Sequence, residues 1–153
     1  MKITSIVKVI GKNAHQIFSF FENCNKEKYQ SWHVEHHDFE FKKRTENLID
    51  SEIYFKEIIK GFKVNYTWKI ERVEQGRLIQ LNAKYFYPIY LTLTFKDESD
   101  GVIVQQDLIM GGENQLIKLD WFIEKFILTN KVSRNLQTHF MEEFKNLETL
   151  IDD

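Results

Sequence analysis

The chain has one cysteine, one proline and six glycines in 153 residues. Cys24 has no partner for an internal disulfide, so the fold needs no oxidising compartment. With Pro88 the one proline, no linker, low-complexity tract or internal repeat divides the chain, and residues 1–153 read as a single domain. No apolar run approaches the roughly 20 residues that span a bilayer. Residues 1–10 carry neither the apolar stretch nor the small-residue cleavage site of a secretory signal. A net charge of −2 gives no electrostatic footprint for nucleic acid or an acidic membrane. Gly111-Gly112 does not extend into a phosphate loop and no G-x-G-x-x-G occurs, so no nucleotide cofactor is expected. There is no G-x-S-x-G elbow, and Cys24 has no context of a nucleophile. The expectation is a soluble, cytoplasmic domain.

What the sequence has in quantity is aromatic side chains, with 13 Phe, 6 Tyr and 3 Trp. These fill a core or line a pocket for an apolar or aromatic ligand. The pattern predicts a strand over 2–9, a helix over 14–21 capped by Asn13, and a short helical stretch over 26–29. From His37 the period becomes two. His37, Phe39 and Phe41 share one face, as do Ile53, Phe55, Glu57 and Ile59, and then Val64, Tyr66, Trp68 and Ile70 after a turn at Gly61. Further strands fit 78–83, 87–95 and 102–109, which makes an antiparallel sheet with one covered face. Beyond Gly111-Gly112 a helical period runs to Ile151 with a break near Asn130, and its stripe is Val132, Leu136, Phe140, Phe144, Leu147 and Ile151.

This order, one strand, two short helices, six strands and a long helix, resembles the START-like and birch-pollen-allergen-like domains, which include polyketide cyclases. The resemblance spans nearly the whole chain. It implies an α+β helix-grip fold, a curved antiparallel sheet of about seven strands wrapped around a long C-terminal helix, with a cavity between them for a small hydrophobic ligand.

Three places carry polar residues where apolar ones belong. Glu57 is in phase with Ile53, Phe55 and Ile59, and a buried carboxylate demands a partner or a metal; a bulge turning it outward, or an internal tyrosine or lysine, would also accommodate it. His139 and Glu143 stand one turn apart within the arc of the apolar stripe, the spacing at which a helix offers two ligands to a divalent ion, whereas Glu142 falls outside it. An ordinary surface pair at the stripe's edge is the alternative. The run Trp32-His33-Val34-Glu35-His36-His37 holds three of the five histidines. His37 shares its face with Phe39 and Phe41, and His33 lies in the preceding turn. In a helix-grip fold these three places face one another, and imidazoles mixed with carboxylates suit zinc, with manganese or iron as alternatives.

The segment Lys28-Tyr29-Gln30-Ser31-Trp32-His33-Val34-Glu35-His36-His37 also resembles a tryptophan-histidine motif of diacetylphloroglucinol and phloretin hydrolases, with Val34 in place of proline. These are zinc enzymes that cut the bond between an acyl group and a phenolic ring. The resemblance implies metal ligands at His33 or His37, Glu57, His139 and Glu143. Phe39, Phe41, Phe55, Tyr66 and Trp68 would then hold the ring, and Tyr66 or Tyr90 would bond a ring hydroxyl or give a proton to the leaving carbanion. Two further functions fit the same sequence: a carrier of a small hydrophobic molecule without chemistry, and a protein-interaction module with aromatic contacts.

Overall fold

The computed structural model describes residues 1–84, 87–111 and 129–152. In chain order they form β1 (Lys2–Ile10), α1 (Ala14–Glu22), α2 (Lys26–Trp32), β2 (His36–Lys43), β3 (Glu52–Ile59) and β4 (Phe62–Glu74). There follow β5 (Leu78–Lys84), β6 (Pro88–Glu98), β7 (Gly101–Met110) and α3 (Asn130–Leu150). The helix expected over 112–128 lies outside the described residues. The seven strands make one antiparallel sheet in the order β1-β7-β6-β5-β4-β3-β2. This is the expected α+β helix-grip architecture.

Local chemistry sets the boundaries. Asn13 and Gln16 form a reciprocal capping box at α1, Asn25 caps α2, and the Thr129 hydroxyl accepts from the Val132 N–H at the start of α3. Lys60 and Gly61 both take positive φ, 48° and 88°, and close the β3–β4 hairpin with a two-residue loop.

The order of strands leaves β1 and β2 as the two edges, and a helix meets each. On β1, the Thr4 carbonyl accepts from Gln137 Nε2 at 3.0 Å and the Ile10 N–H donates to Glu148 Oε1 at 2.7 Å, both from α3. On β2, the His37 carbonyl accepts from Gln30 Nε2 of α2 at 2.7 Å. Three of the edge groups that could template pairing with another chain are thereby occupied. Phe140, Phe144 and Leu147 of α3 are buried against the inner face of the sheet together with Val9, Val102 and Val104. Among the described residues, no helix is long and apolar enough to cross a membrane.

The side chain of Leu147 is fully buried and does not line the cavity that holds the polar cluster described below. Leu147→Ala is therefore expected to lower unfolding free energy by about 2–5 kcal/mol in urea titrations. A loss of less than about 0.5 kcal/mol, the size of an ordinary surface change, would contradict the packing of α3 on the core.

Candidate metal centre

The C-terminal end of α2 is tied to α3 before the first site residue appears. Trp32 Nε1 donates to the Glu143 carbonyl at 2.6 Å, and Asn146 Nδ2 donates to the Trp32 carbonyl at 3.0 Å. The chain then turns, with the His36 N–H bonded to the His33 carbonyl at 3.0 Å, and enters β2. His36 pairs with Glu57 across β2 and β3, and the register shifts between His36 and Asp38. His37 is the extra residue of that bulge. The expectation that His37 points inward is corrected on this account. The bulge reverses the phase, so that His36 joins Phe39 and Phe41 on the concave face while His37 is exposed.

His36, Glu57, His139 and Glu143 converge, with one ligand atom of each within 4.8 Å of the others. His36 Nδ1 lies 2.9 Å from the Tyr29 carbonyl. A carbonyl can only accept, so Nδ1 carries the proton and Nε2 is turned to the cluster. His139 Nδ1 likewise donates to Glu35 Oε2 at 2.9 Å, and its Nε2 is buried with no hydrogen-bond partner. From His36 Nε2 it is 3.0 Å to Glu143 Oε2 and 3.7 Å to Glu57 Oε1; from His139 Nε2 it is 3.6 Å to Glu143 Oε2 and 3.8 Å to Glu57 Oε2. Four ligands at about 2.1 Å around a tetrahedral ion stand about 3.4 Å apart, which these separations bracket. The donor set therefore fits a divalent metal. Glu35 Oε1 also accepts from the Lys60 N–H at 2.8 Å, so one carboxylate fixes both the β3–β4 turn and the His139 ring.

The electrostatics agree with that fit. Burial, then the neighbouring Glu143, raises Glu57 to about 7, and burial raises Glu143 well above the ordinary carboxyl value. Burial, then His36 and His33, lowers His139 to about 4, and burial lowers His36. The Tyr29 hydroxyl donates to Glu57, and burial followed by that carboxyl holds its pKa well above the ordinary phenol. Without a cation the carboxyls tend to stay protonated and the imidazoles neutral. Two ionised carboxylates would just balance a divalent ion.

Tyr29, Glu57, His139 and Glu143 lie in the wall of a cavity of about 180 Å³ between sheet and α3. Phe39, Phe41, Phe55 and Trp68 line it too, with Phe55 stacked on Trp68 at 5.4 Å. Tyr66 has the same strand phase and packs against the core but is not part of the lining. Tyr90 is corrected outright: Ile89, Leu91 and Leu93 take the inner phase of β6, which places Tyr90 on the opposite face. His33 is buried beside the His139 ring at 4.5 Å and could form a smaller group with His36 and His139. Its Nδ1, however, accepts from the Glu35 N–H at 3.1 Å and its Nε2 lies 3.4 Å from Glu142, so neither nitrogen is free. The Cys24 thiol lines the cavity and burial pushes it up to about 12, which keeps it protonated. Sequence reasoning left open which of His33, His36 and His37 faces the cavity, and passed over Glu35 and Tyr29 as members of the site. Removing the His36 ring strands buried polar groups, so His36→Ala should lower stability by about 1–3 kcal/mol. His37→Ala should stay within about 0.5 kcal/mol, and denaturation of both variants with equal losses would contradict the bulge.

No known protein-family profile matches the sequence, and no curated protein matches it. Solved structures do. Ara h 8.0201 aligns over 99% of this chain and 97% of its own at 8% identity and a TM-score of 0.67. A START superfamily protein from Mycobacterium smegmatis aligns over 93% and 97% at 14% identity and a TM-score of 0.57. Ginseng major latex-like protein 151 from Panax ginseng aligns over 91% and 96% at 10% identity and a TM-score of 0.57. The chain thus has the helix-grip fold of START-like and birch-pollen-allergen-like proteins.

Proposed function

We propose that this chain binds a small hydrophobic or aromatic molecule in the cavity between sheet and α3, and that a divalent metal, zinc first among them, is held there by His36, Glu57, His139 and Glu143 to hydrolyse an acyl-phenol or related ketone. The observation that carries the proposal is the unpaired, buried Nε2 of His139, turned toward two carboxyls while Glu35 holds its Nδ1. A bound zinc ion supplies a Lewis acid for a ligand carbonyl and a water of lowered pKa.

The rest is work for the chain's own groups. Phe39, Phe41, Phe55 and Trp68 exclude water and hold a flat ring. A cavity of about 180 Å³ suits one ring with short substituents, since about 150 Å³ of apolar cavity admits benzene. Hydrolysis adds hydroxyl to the acyl carbon, breaks its bond to the ring and returns a proton to the ring carbon. Tyr29 keeps its phenolic proton at neutral pH and lines the cavity beside Glu57, which makes it the chain's donor for that last transfer. Glu35 holds the His139 tautomer, and the Tyr29 carbonyl holds that of His36.

A carrier without chemistry is favoured by one contact. A protonated Glu143 can satisfy His36 Nε2 at 3.0 Å with no ion present, and the polar cluster would then only orient the ligand.

Elemental analysis of purified protein separates the two. Near-stoichiometric zinc or manganese is expected in the wild type and in His33→Ala, and none in Glu57→Ala or His139→Ala. Glu35→Gln should keep the site but weaken metal affinity about 10- to 100-fold. Protein free of metal after reconstitution would leave the carrier. Affinity should also depend on pH. His139, lowered to about 4, is already neutral in this range, whereas Glu57, raised to about 7, holds a proton that the ion must displace. Metal affinity should therefore fall as pH drops from 7 toward 5, by about tenfold per unit for each proton displaced. A flat profile in calorimetric titrations across that window would show that no carboxyl proton is exchanged for the ion.

A further inference from the structure

The cavity wall has a second polar feature, remote in strand order from the histidine–glutamate cluster. On β7 the inner phase is Val102, Val104, Gln106 and Leu108, and Gln106 lines the cavity. An amide there interrupts an otherwise apolar row. Its cross-strand partner on β1 is Ser5, which is buried while Gln106 is half-buried, so two polar residues adjoin across the β1–β7 ladder. Neither side chain makes a hydrogen bond among the described residues. β6, β5 and β4 separate Gln106 from Glu57 on β3.

We infer that Gln106 is a specificity-determining residue, whose side-chain amide selects a ligand carrying a neutral oxygen substituent, hydroxyl or carbonyl, on the part that meets β7. The inference rests on the proposed use of the cavity for a ligand, and not on the metal. A primary amide offers two donors and an acceptor, so it can serve a hydroxyl in both directions and a carbonyl in one. Among the described lining residues there is no lysine or arginine. A ligand carboxylate at this end would have no counter-charge in an apolar wall, and its burial would be unfavourable. An apolar substituent would strip water from the amide and give nothing back. A neutral hydroxyl or carbonyl avoids both penalties, which sets the ligand apart from fatty acids and other carboxylates bound head-first.

Three probes that share an ethylphenyl frame and differ in the para substituent test this by calorimetry: ethylbenzene, 4-ethylphenol and 4-ethylbenzoate, against the wild type and Gln106→Leu. Leucine is close in volume and suits its apolar neighbours, so the variant should fold. The ratio of 4-ethylphenol to ethylbenzene affinity should drop roughly three- to tenfold in Gln106→Leu, with ethylbenzene affinity held or improved, and 4-ethylbenzoate should bind weakest to the wild type. An unchanged ratio, with both neutral probes binding both proteins, would overturn the role of Gln106 and leave the cavity reading standing. Failure of every probe to bind the wild type would remove the cavity reading, and this inference with it.

Discussion

Glu57 and Glu143 sit in a wall of phenyl rings and aliphatic side chains, with no lysine or arginine among the described residues that line it. Two carboxyls so placed cannot both ionise unless something positive arrives, and both are held above their ordinary values. The surrounding hydrogen bonds are arranged around this constraint. Each imidazole has its Nδ1 committed outward, His36 to the Tyr29 carbonyl and His139 to Glu35, so that each offers Nε2 to the same point. Of the two, His139 Nε2 has no partner of its own, an expensive arrangement for a buried nitrogen unless an ion completes it.

The scaffold holds this geometry through links between elements distant in sequence. α2 and α3 are crossed by the Trp32–Glu143 and Asn146–Trp32 hydrogen bonds, which set the height of α3 over the sheet at the level of the site. The bulge at His37 turns His36 inward opposite Glu57. Glu35 joins the β3–β4 turn to α3 through Lys60 and His139. These joints hold the ligand atoms within the narrow range of distances a metal requires.

Much of this was legible in the sequence. Seven strands, two early helices and the terminal helix follow from periods of two and 3.6, with Asn13 as the cap of the first helix. Glu57, His139 and Glu143 stand out because each breaks an apolar phase, and phase is what strands and helices conserve. His36 did not, because a bulge adds one residue to a strand without a local signature, and every side chain before it changes face. Tyr90 was open to a stricter reading, since it shares phase with Thr92 and Thr94, whereas Leu91 and Leu93 take the inner face. Glu35 and Tyr29 reach the site through a turn and a short helix. There no period applies, and only tertiary contacts reveal their role.

X-ray absorption at the zinc edge of reconstituted protein tests the shared site most directly. Convergence of His36, His139, Glu57 and Glu143 predicts a first shell of nitrogen and oxygen alone at about 2.0–2.2 Å, with outer-shell scattering from two imidazoles. A sulfur neighbour at about 2.3 Å, which would bring in Cys24, or a shell without imidazole scattering, would contradict it.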